Sequence, residues 1–154
     1  YQNVDGVGER DCQLRWDRMK PDVLGKSVVD LGSNLGWFVR KALEEGASEA
    51  HGFENDAAVV ESAKALGGTF FEMDLNENLP LRKYDVGICL SVLQHLDSPD
   101  RVFKWLMESC DTVYIEIPVR FVTEYMAQFL KDADYLGESE RGRPMYRVRA
   151  RVLA

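Results

Sequence analysis

At 154 residues the chain has the length of one domain and can bury a real core. Its make-up, 45% hydrophobic and 29% charged, is that of a soluble globular protein. No apolar run approaches the ~20 residues that cross a bilayer, so no membrane partner is expected. A net charge of −7 argues against broad electrostatic attraction to DNA or other nucleic acid.

Residues 1–9 hold two glycines and little apolar pattern, and read as a loop or lid. Residues 10–20 predict a helix with Leu14 and Met19 toward the core and Trp16 on a neighbouring face, ended by Pro21. Residues 1–21 are thus an N-terminal loop and helix extension of a single domain, 1–154. Leu24-Gly25-Lys26 turns into a first strand at about 27–31, where Val28 and Val29 suit a buried parallel strand. A helix follows at about 35–45, closed by Gly46. A strand at about 49–54 leads to a helix at about 56–66, with Val59, Val60, Ala63 and Leu66 as its buried stripe. Gly67-Gly68 stops that helix before a strand at about 69–73 and a polar loop containing Asn76, Glu77, Asn78 and Pro80.

The fourth strand, about 84–90, is followed by a short helical piece after Ser91. Ser98-Pro99-Asp100 reads as a cap with proline at the first position of a helix at about 99–109. A strand at about 112–117 stops at Pro118, and a helix at about 121–132 follows. Two strands, about 133–138 and 144–152, flank a turn at Gly142-Arg143-Pro144. Strands alternating with helices imply a parallel sheet covered on both faces. The last two, with no helix between them, should form an antiparallel hairpin at the edge. In such sheets a ligand sits beyond the C-terminal strand ends, at the topological switch.

The stretch from Ser27 to Phe38 reads strand, turn, helix, with free backbone N–H groups at the helix start facing the turn. It does not fit G-x-G-x-x-G, because the spacing is Gly32-x-x-x-Gly36 with Asn34 between and Asp30 two residues before Gly32. An acid there repels a pyrophosphate and suits a cationic ligand. Further acids fall at strand ends. Glu54 closes the second strand, where a carboxylate can accept from ribose hydroxyls. Asn55 and Asp56 follow, and one of them caps the next helix. Asp74 closes the third strand and can accept from an exocyclic amine, with the Leu75 N–H available to a ring nitrogen; alternatively Asp74 caps its own turn. After the fourth strand come Ser91 and His95. His95 is placed either as a general base near neutrality or as a helix-end histidine bonded to backbone. Glu116 is the odd residue of an apolar strand. It either takes a proton or hydrogen bond from a substrate, or pairs with Arg120 or a tail arginine.

Asp30-x-Gly32-x-Asn34-x-Gly36 resembles the first motif of class I S-adenosylmethionine (SAM)-dependent methyltransferases, acid-x-Gly-x-Gly-x-Gly. Asn34 replaces the second glycine, and asparagine tolerates left-handed backbone. The ammonium and sulfonium of SAM agree with the acid. The resemblance covers about residues 22–152. It implies a doubly wound, mostly parallel sheet of seven strands with a C-terminal antiparallel edge strand. It also implies SAM as cofactor, S-adenosylhomocysteine as product, and cofactor contacts from Asp30, Gly32, Ser33, Asn34, Gly36, Glu54, Asn55, Asp74, Leu75 and Ser91. The run Ser91-Val92-Leu93-Gln94-His95-Leu96 looks like the corresponding segment of small-molecule and tRNA wobble-uridine methyltransferases. It does not resemble Asn-Pro-Pro-Tyr, which argues against DNA amino-methylation. Arg15-Trp16 is loosely similar to the same arrangement in the wobble-uridine carboxymethyl-type group.

The resemblance therefore implies methyl transfer to a small-molecule or glycan-type acceptor, with His95 and Glu116 as catalytic candidates. The alternatives are a tRNA- or RNA-modifying enzyme and a SAM-binding domain without catalysis; a nucleotide-binding oxidoreductase is disfavoured by Asn34. Acceptor specificity is expected from the N-terminal segment, the loop after the fourth strand and the region 118–145. The three cysteines, Cys12, Cys89 and Cys110, show no paired spacing, and two histidines offer no zinc pattern. No metal is expected, and the compartment is expected to be reducing and cytoplasmic. Arg10, Arg15, Arg18 and Lys20 near one end, and Arg141, Arg143, Arg147, Arg149 and Arg151 near the other, read as solvated faces. A local anion or RNA contact is the alternative.

Overall fold

The computed structural model describes residues 10–150. The loop or lid expected at 1–9, Arg151 and the far end of the strand expected to reach 152 lie outside the described residues. The strands are β1 (Ser27–Leu31), β2 (Glu49–Glu54), β3 (Thr69–Glu72), β4 (Tyr84–Leu90), β5 (Cys110–Glu116), β6 (Asp134–Glu138) and β7 (Pro144–Arg149). They form one sheet in the order β3-β2-β1-β4-β5-β7-β6. The pairs from β3 to β5 are parallel, and β7 runs antiparallel between β5 and β6. The expected C-terminal hairpin is there, with its second strand one place in from the edge and β6 outermost. The chain reverses its order between β1 and β4, so the switch point lies at their C-terminal ends.

The helices are α1 (Cys12–Met19), α2 (Trp37–Glu44), α3 (Ala57–Leu66), α4 (Pro99–Ser109) and α5 (Glu124–Leu130). Successive strand residues point to opposite faces, so β1 feeds both halves of the core. Val28 packs with Trp16, Met19, Phe38, Ala42 and Val60. Val29 and Leu31 pack with Phe103, Leu106, Met126 and Ile115 on the other face. Val28, Val29 and Leu31 are all fully buried, as a central strand covered on both sides requires.

Several boundaries differ from expectation for local reasons. Helix α2 starts at Trp37 because Asn34 (φ 51°) and Gly36 (φ 82°) are left-handed, and a helix cannot run through such residues. Helix α5 starts at Glu124, where the Thr123 side chain accepts from the Met126 N–H; a short 3₁₀ turn, Val119–Phe121, fills the gap after Pro118. Strand β5 begins at Cys110, directly off the end of α4. The buried face of α1 is Cys12, Arg15, Trp16 and Met19, at helical spacing, while Leu14 is only half-buried. In α3 the stripe narrows to Val60 and Ala63; Leu66, in its last turn, is exposed.

Cys12, Cys89 and Cys110 are free and buried. Burial pushes the thiols of Cys89 and Cys110 well up, so they act as small apolar side chains. Among the described residues no helix is long and apolar enough to cross a membrane. Nor do any three His, Cys, Asp or Glu side chains there gather where they could hold a metal ion.

Candidate functional site

A cavity of about 600 Å³ opens at the C-terminal ends of β1, β2 and β4, within the size range of small-molecule sites. The turn after β1 forms one wall. Its Gly32 and Ser33 N–H groups both donate to the Phe53 carbonyl, at 2.8 and 3.0 Å. Its Asn34 N–H donates to Glu54 Oε2 at 2.9 Å, and Asn34 Oδ1 accepts from the Leu35 N–H at 2.8 Å. The turn is thereby fastened to the end of β2. Three residues in it are left-handed: Gly32 (φ 69°), Asn34 (φ 51°) and Gly36 (φ 82°). At Gly32 an added Cβ would lie 2.4 Å from Val92 Cγ2, so glycine also lets the loop after β4 close onto the turn.

Of the ten residues expected to contact a cofactor, eight line the cavity: Asp30, Gly32, Asn34, Glu54, Asn55, Asp74, Leu75 and Ser91. Ser33 and Gly36 do not. Ser33 is fully buried, with its Oγ against Gly52 beneath the turn, and Gly36 backs onto Phe70. Both shape the turn from behind.

Asp30 is 3% exposed, and its Oδ2 has no hydrogen-bond partner. Burial pushes its carboxyl up to about 8; the Arg15 charge pulls it back and the Glu54 charge adds to the rise. Asp74 caps its own turn, its Oδ1 accepting from the Asn76 N–H at 2.9 Å, and still faces the cavity. Asp56, not Asn55, caps α3, accepting from the N–H groups of Ala58 and Val59, so Asn55 remains on the cavity wall. Phe53, Met73, Leu75 and Leu96 give that end an apolar lining.

His95 ends the short 3₁₀ turn Leu93–His95 that follows Ser91, and is exposed on the cavity lining. Glu116 is fully buried and lies outside the lining. It is paired, as one expectation required, but its partners come from the N-terminal segment. Arg10 Nη2 reaches Oε2 at 2.7 Å and Oε1 at 3.0 Å, and Arg15 Nη1 reaches Oε1 at 3.3 Å. Arg120 lies instead over the Phe121 ring. Ser91 (φ 59°) donates from Oγ to Glu116 Oε1 at 2.7 Å, and Arg143 Nη1 donates to Ser91 Oγ at 2.9 Å. Arg10 also pairs with Glu140.

The reading of the two arginine clusters as solvated faces is therefore corrected in part. Arg10, Arg15, Arg141 and Arg143 line the cavity, and Arg15 is 3% exposed. Arg147 pairs with Asp134 at the surface, as expected of a solvated strand. No local pattern marks the four cavity arginines, because they meet only when α1 docks beside the β6–β7 hairpin. The one sequence signal was Glu116, an acid in an apolar strand that demands a charged partner.

A family model described as a methyltransferase domain matches residues 8–150. The chain belongs to the class I SAM-dependent methyltransferases. Among relatives of this methyltransferase, the tRNA U34 carboxymethyltransferase of Helicobacter acinonychis (strain Sheeba) is 31% identical in an alignment that covers 72% of this chain and 50% of that protein. The protein of the same description from Campylobacter hominis is 31% identical over 108 residues, 64% of this chain and 38% of its own. The methyltransferase thus spans about half the length of the curated relatives it matches. Among solved structures, the bifunctional kinase-methyltransferase WbdD superposes with a TM-score of 0.74 at 22% identity, covering 92% of this chain and 40% of that one. Magnesium protoporphyrin IX methyltransferase from Synechocystis PCC 6803 with bound SAM gives a TM-score of 0.67 at 19% identity, covering 89% and 76%. At those identities the likeness is one of fold.

Proposed function

We propose that this methyltransferase binds SAM across the ends of β1, β2 and β3 and methylates a small-molecule or glycan-type acceptor at the arginine-lined side of the cavity. The observation that carries the reading is Asp30 Oδ2, a buried carboxyl oxygen on the cavity wall without a partner. The residues present fit the cofactor. Asp30 receives its ammonium, with Arg15 near enough to act on the same carboxyl and so suited to the carboxylate of the same zwitterion. Glu54 receives the ribose hydroxyls through the oxygen not engaged by Asn34. Asp74 and the Leu75 N–H meet the base, which the apolar lining holds.

When bound, SAM supplies an electrophilic methyl group on a sulfonium leaving group. The chain's task is then alignment and exclusion of water, worth several kcal/mol. Val92 packed on Gly32 keeps the loop after β4 against the turn and fixes the floor on which the acceptor stands. His95, on the cavity lining, takes the acceptor's proton where the attacking atom is a hydroxyl or a protonated amine. Glu116, bonded by two arginines and Ser91, positions that wall.

A second reading, an RNA acceptor, is supported by the relatives named as tRNA U34 carboxymethyltransferases and by the four arginines of the cavity. Calorimetric titration with SAM tests the cofactor site: binding to the wild type and its loss in Asp30→Ala and Glu54→Ala support it, and unchanged affinity in both variants overturns it. Formation of S-adenosylhomocysteine, measured with fractionated small molecules and with tRNA as acceptors, then separates the two readings; none with either would leave a SAM-binding domain without catalysis.

A further inference from the structure

We infer that the acceptor brings an oxyanion, a carboxylate or phosphate, to the cavity, and that Arg143 receives it with Arg10 and Arg141 alongside. The inference rests on the methyltransferase reading and names the chemistry of its acceptor. Arg15 of α1, Arg10 two residues ahead of that helix, and Arg141 and Arg143 of the β6–β7 hairpin line one cavity. Arg10 and Arg15 are met by carboxylates, Glu116 and Glu140. Arg143 is held differently. Its Nη1 donates to the neutral hydroxyl of Ser91, which in turn donates to Glu116.

A guanidinium has five N–H donors in a fixed fork that matches carboxylate and phosphate. Desolvation first, then the like charges of Arg10 and Arg141, push Arg143 below the usual arginine range, partly offset by Glu116 and Glu140. Crowding cations in a half-closed cavity is unfavourable on its own. An arriving anion relieves that repulsion and orients the acceptor through two parallel hydrogen bonds. Under the proposed reading the zwitterionic end of the cofactor goes to Asp30 and Arg15, and the test below is run with that end occupied. The oxyanion assigned to Arg143 is therefore the acceptor's own.

The test uses the whole chain saturated with S-adenosylhomocysteine, titrated calorimetrically with inorganic phosphate, acetate and a short single-stranded RNA. Phosphate or acetate should bind the wild type weakly, and Arg143→Gln should lose that binding by about tenfold with SAM affinity unchanged. Arg143→Lys, which keeps charge without the fork, should fall between. RNA that displaces phosphate and weakens steeply with salt assigns the anion to a nucleic-acid backbone. RNA that fails to displace it assigns the anion to a small acceptor. Failure of both anions to bind the wild type, equal binding to the Gln variant, or an equal loss of SAM affinity in that variant overturns the inference. Circular dichroism and a melt of each variant separate lost binding from lost fold. The methyltransferase reading fails on a different readout, absence of SAM binding to the wild type.

Discussion

Ser91 gives its hydroxyl hydrogen to Glu116 at 2.7 Å while Arg143 donates to the same oxygen at 2.9 Å. One hydroxyl thus links a fully buried carboxylate to a cavity arginine. Glu116 also holds Arg10 and Arg15, so it is the common anchor of α1, the loop after β4 and the β6–β7 hairpin. Changing Glu116 to Gln leaves buried guanidiniums without their counter-charge, and should cost about 3–5 kcal/mol in urea unfolding. A loss below about 1 kcal/mol would indicate that water replaces the carboxylate.

Asp30 gives a pH signature. Its carboxyl rises from 3.8 to about 8 in the folded protein. Between those values the folded state keeps a proton that the unfolded state has lost. Stability without ligand should therefore fall by several kcal/mol as pH rises through that window. Asp30→Asn should flatten the curve and raise stability at neutral pH, as chemical denaturation across the pH range would read. SAM affinity should move the opposite way. The cation must displace that proton, so binding to the wild type tightens with proton release as pH rises toward about 8, a dependence the Asn variant should lack.

At Gly32 a methyl group would meet Val92 Cγ2 at 2.4 Å in a left-handed backbone. Gly32→Ala should cost about 2–4 kcal/mol from strain and overpacking together. Combining it with Val92→Ala should recover the overpacking part and leave the backbone part, giving a coupling energy of about 1 kcal/mol or more. Additive melting shifts would break the assigned contact.

Glu54 has two duties, bracing Asn34 and facing the cavity. Glu54→Gln keeps the size of the side chain and removes the charge. SAM affinity should fall by about tenfold or more, because hydrogen bonds to an ionised acceptor contribute roughly 1.5–3 kcal/mol, with a smaller loss of stability. A stability loss with unchanged affinity would leave Glu54 only its bracing duty.

For His95, exposed on the cavity lining, replacement by Ala should lower kcat by about 100-fold or more with SAM affinity unchanged if it serves as base. Unchanged turnover would assign it no chemistry.

The strand ends were legible because position in a strand–turn–helix repeat fixes where a side chain emerges. Asp30, Glu54 and Asp74 fall at successive strand ends in the chain, and the fold lines those ends up on one cavity. The turn's two glycines read as ligand-facing, whereas only Gly32 touches the cavity; a packing requirement from Val92 and Phe70 is a tertiary fact with no local trace. Arg15 was placed in a helix but not on its buried face, since a charged residue at a core position is read as surface unless its partner is known. That partner is 101 residues away. Asp74 caps its own turn with one oxygen, as one of its two expectations had it, and lies on the cavity lining.

The anchoring of Arg10 and Arg15 on Glu116 also sets an order of events during synthesis. A nascent chain made only as far as Ser91 already owns Asp30, Glu54 and Asp74 but neither Glu116 nor the hairpin arginines, and synthesis runs from the N-terminal side. Until translation passes Glu116, Arg10 and Arg15 lack the buried carboxylate that both meet in the folded protein. The arginine-lined wall of the cavity can therefore assemble only after the first four strands have been made.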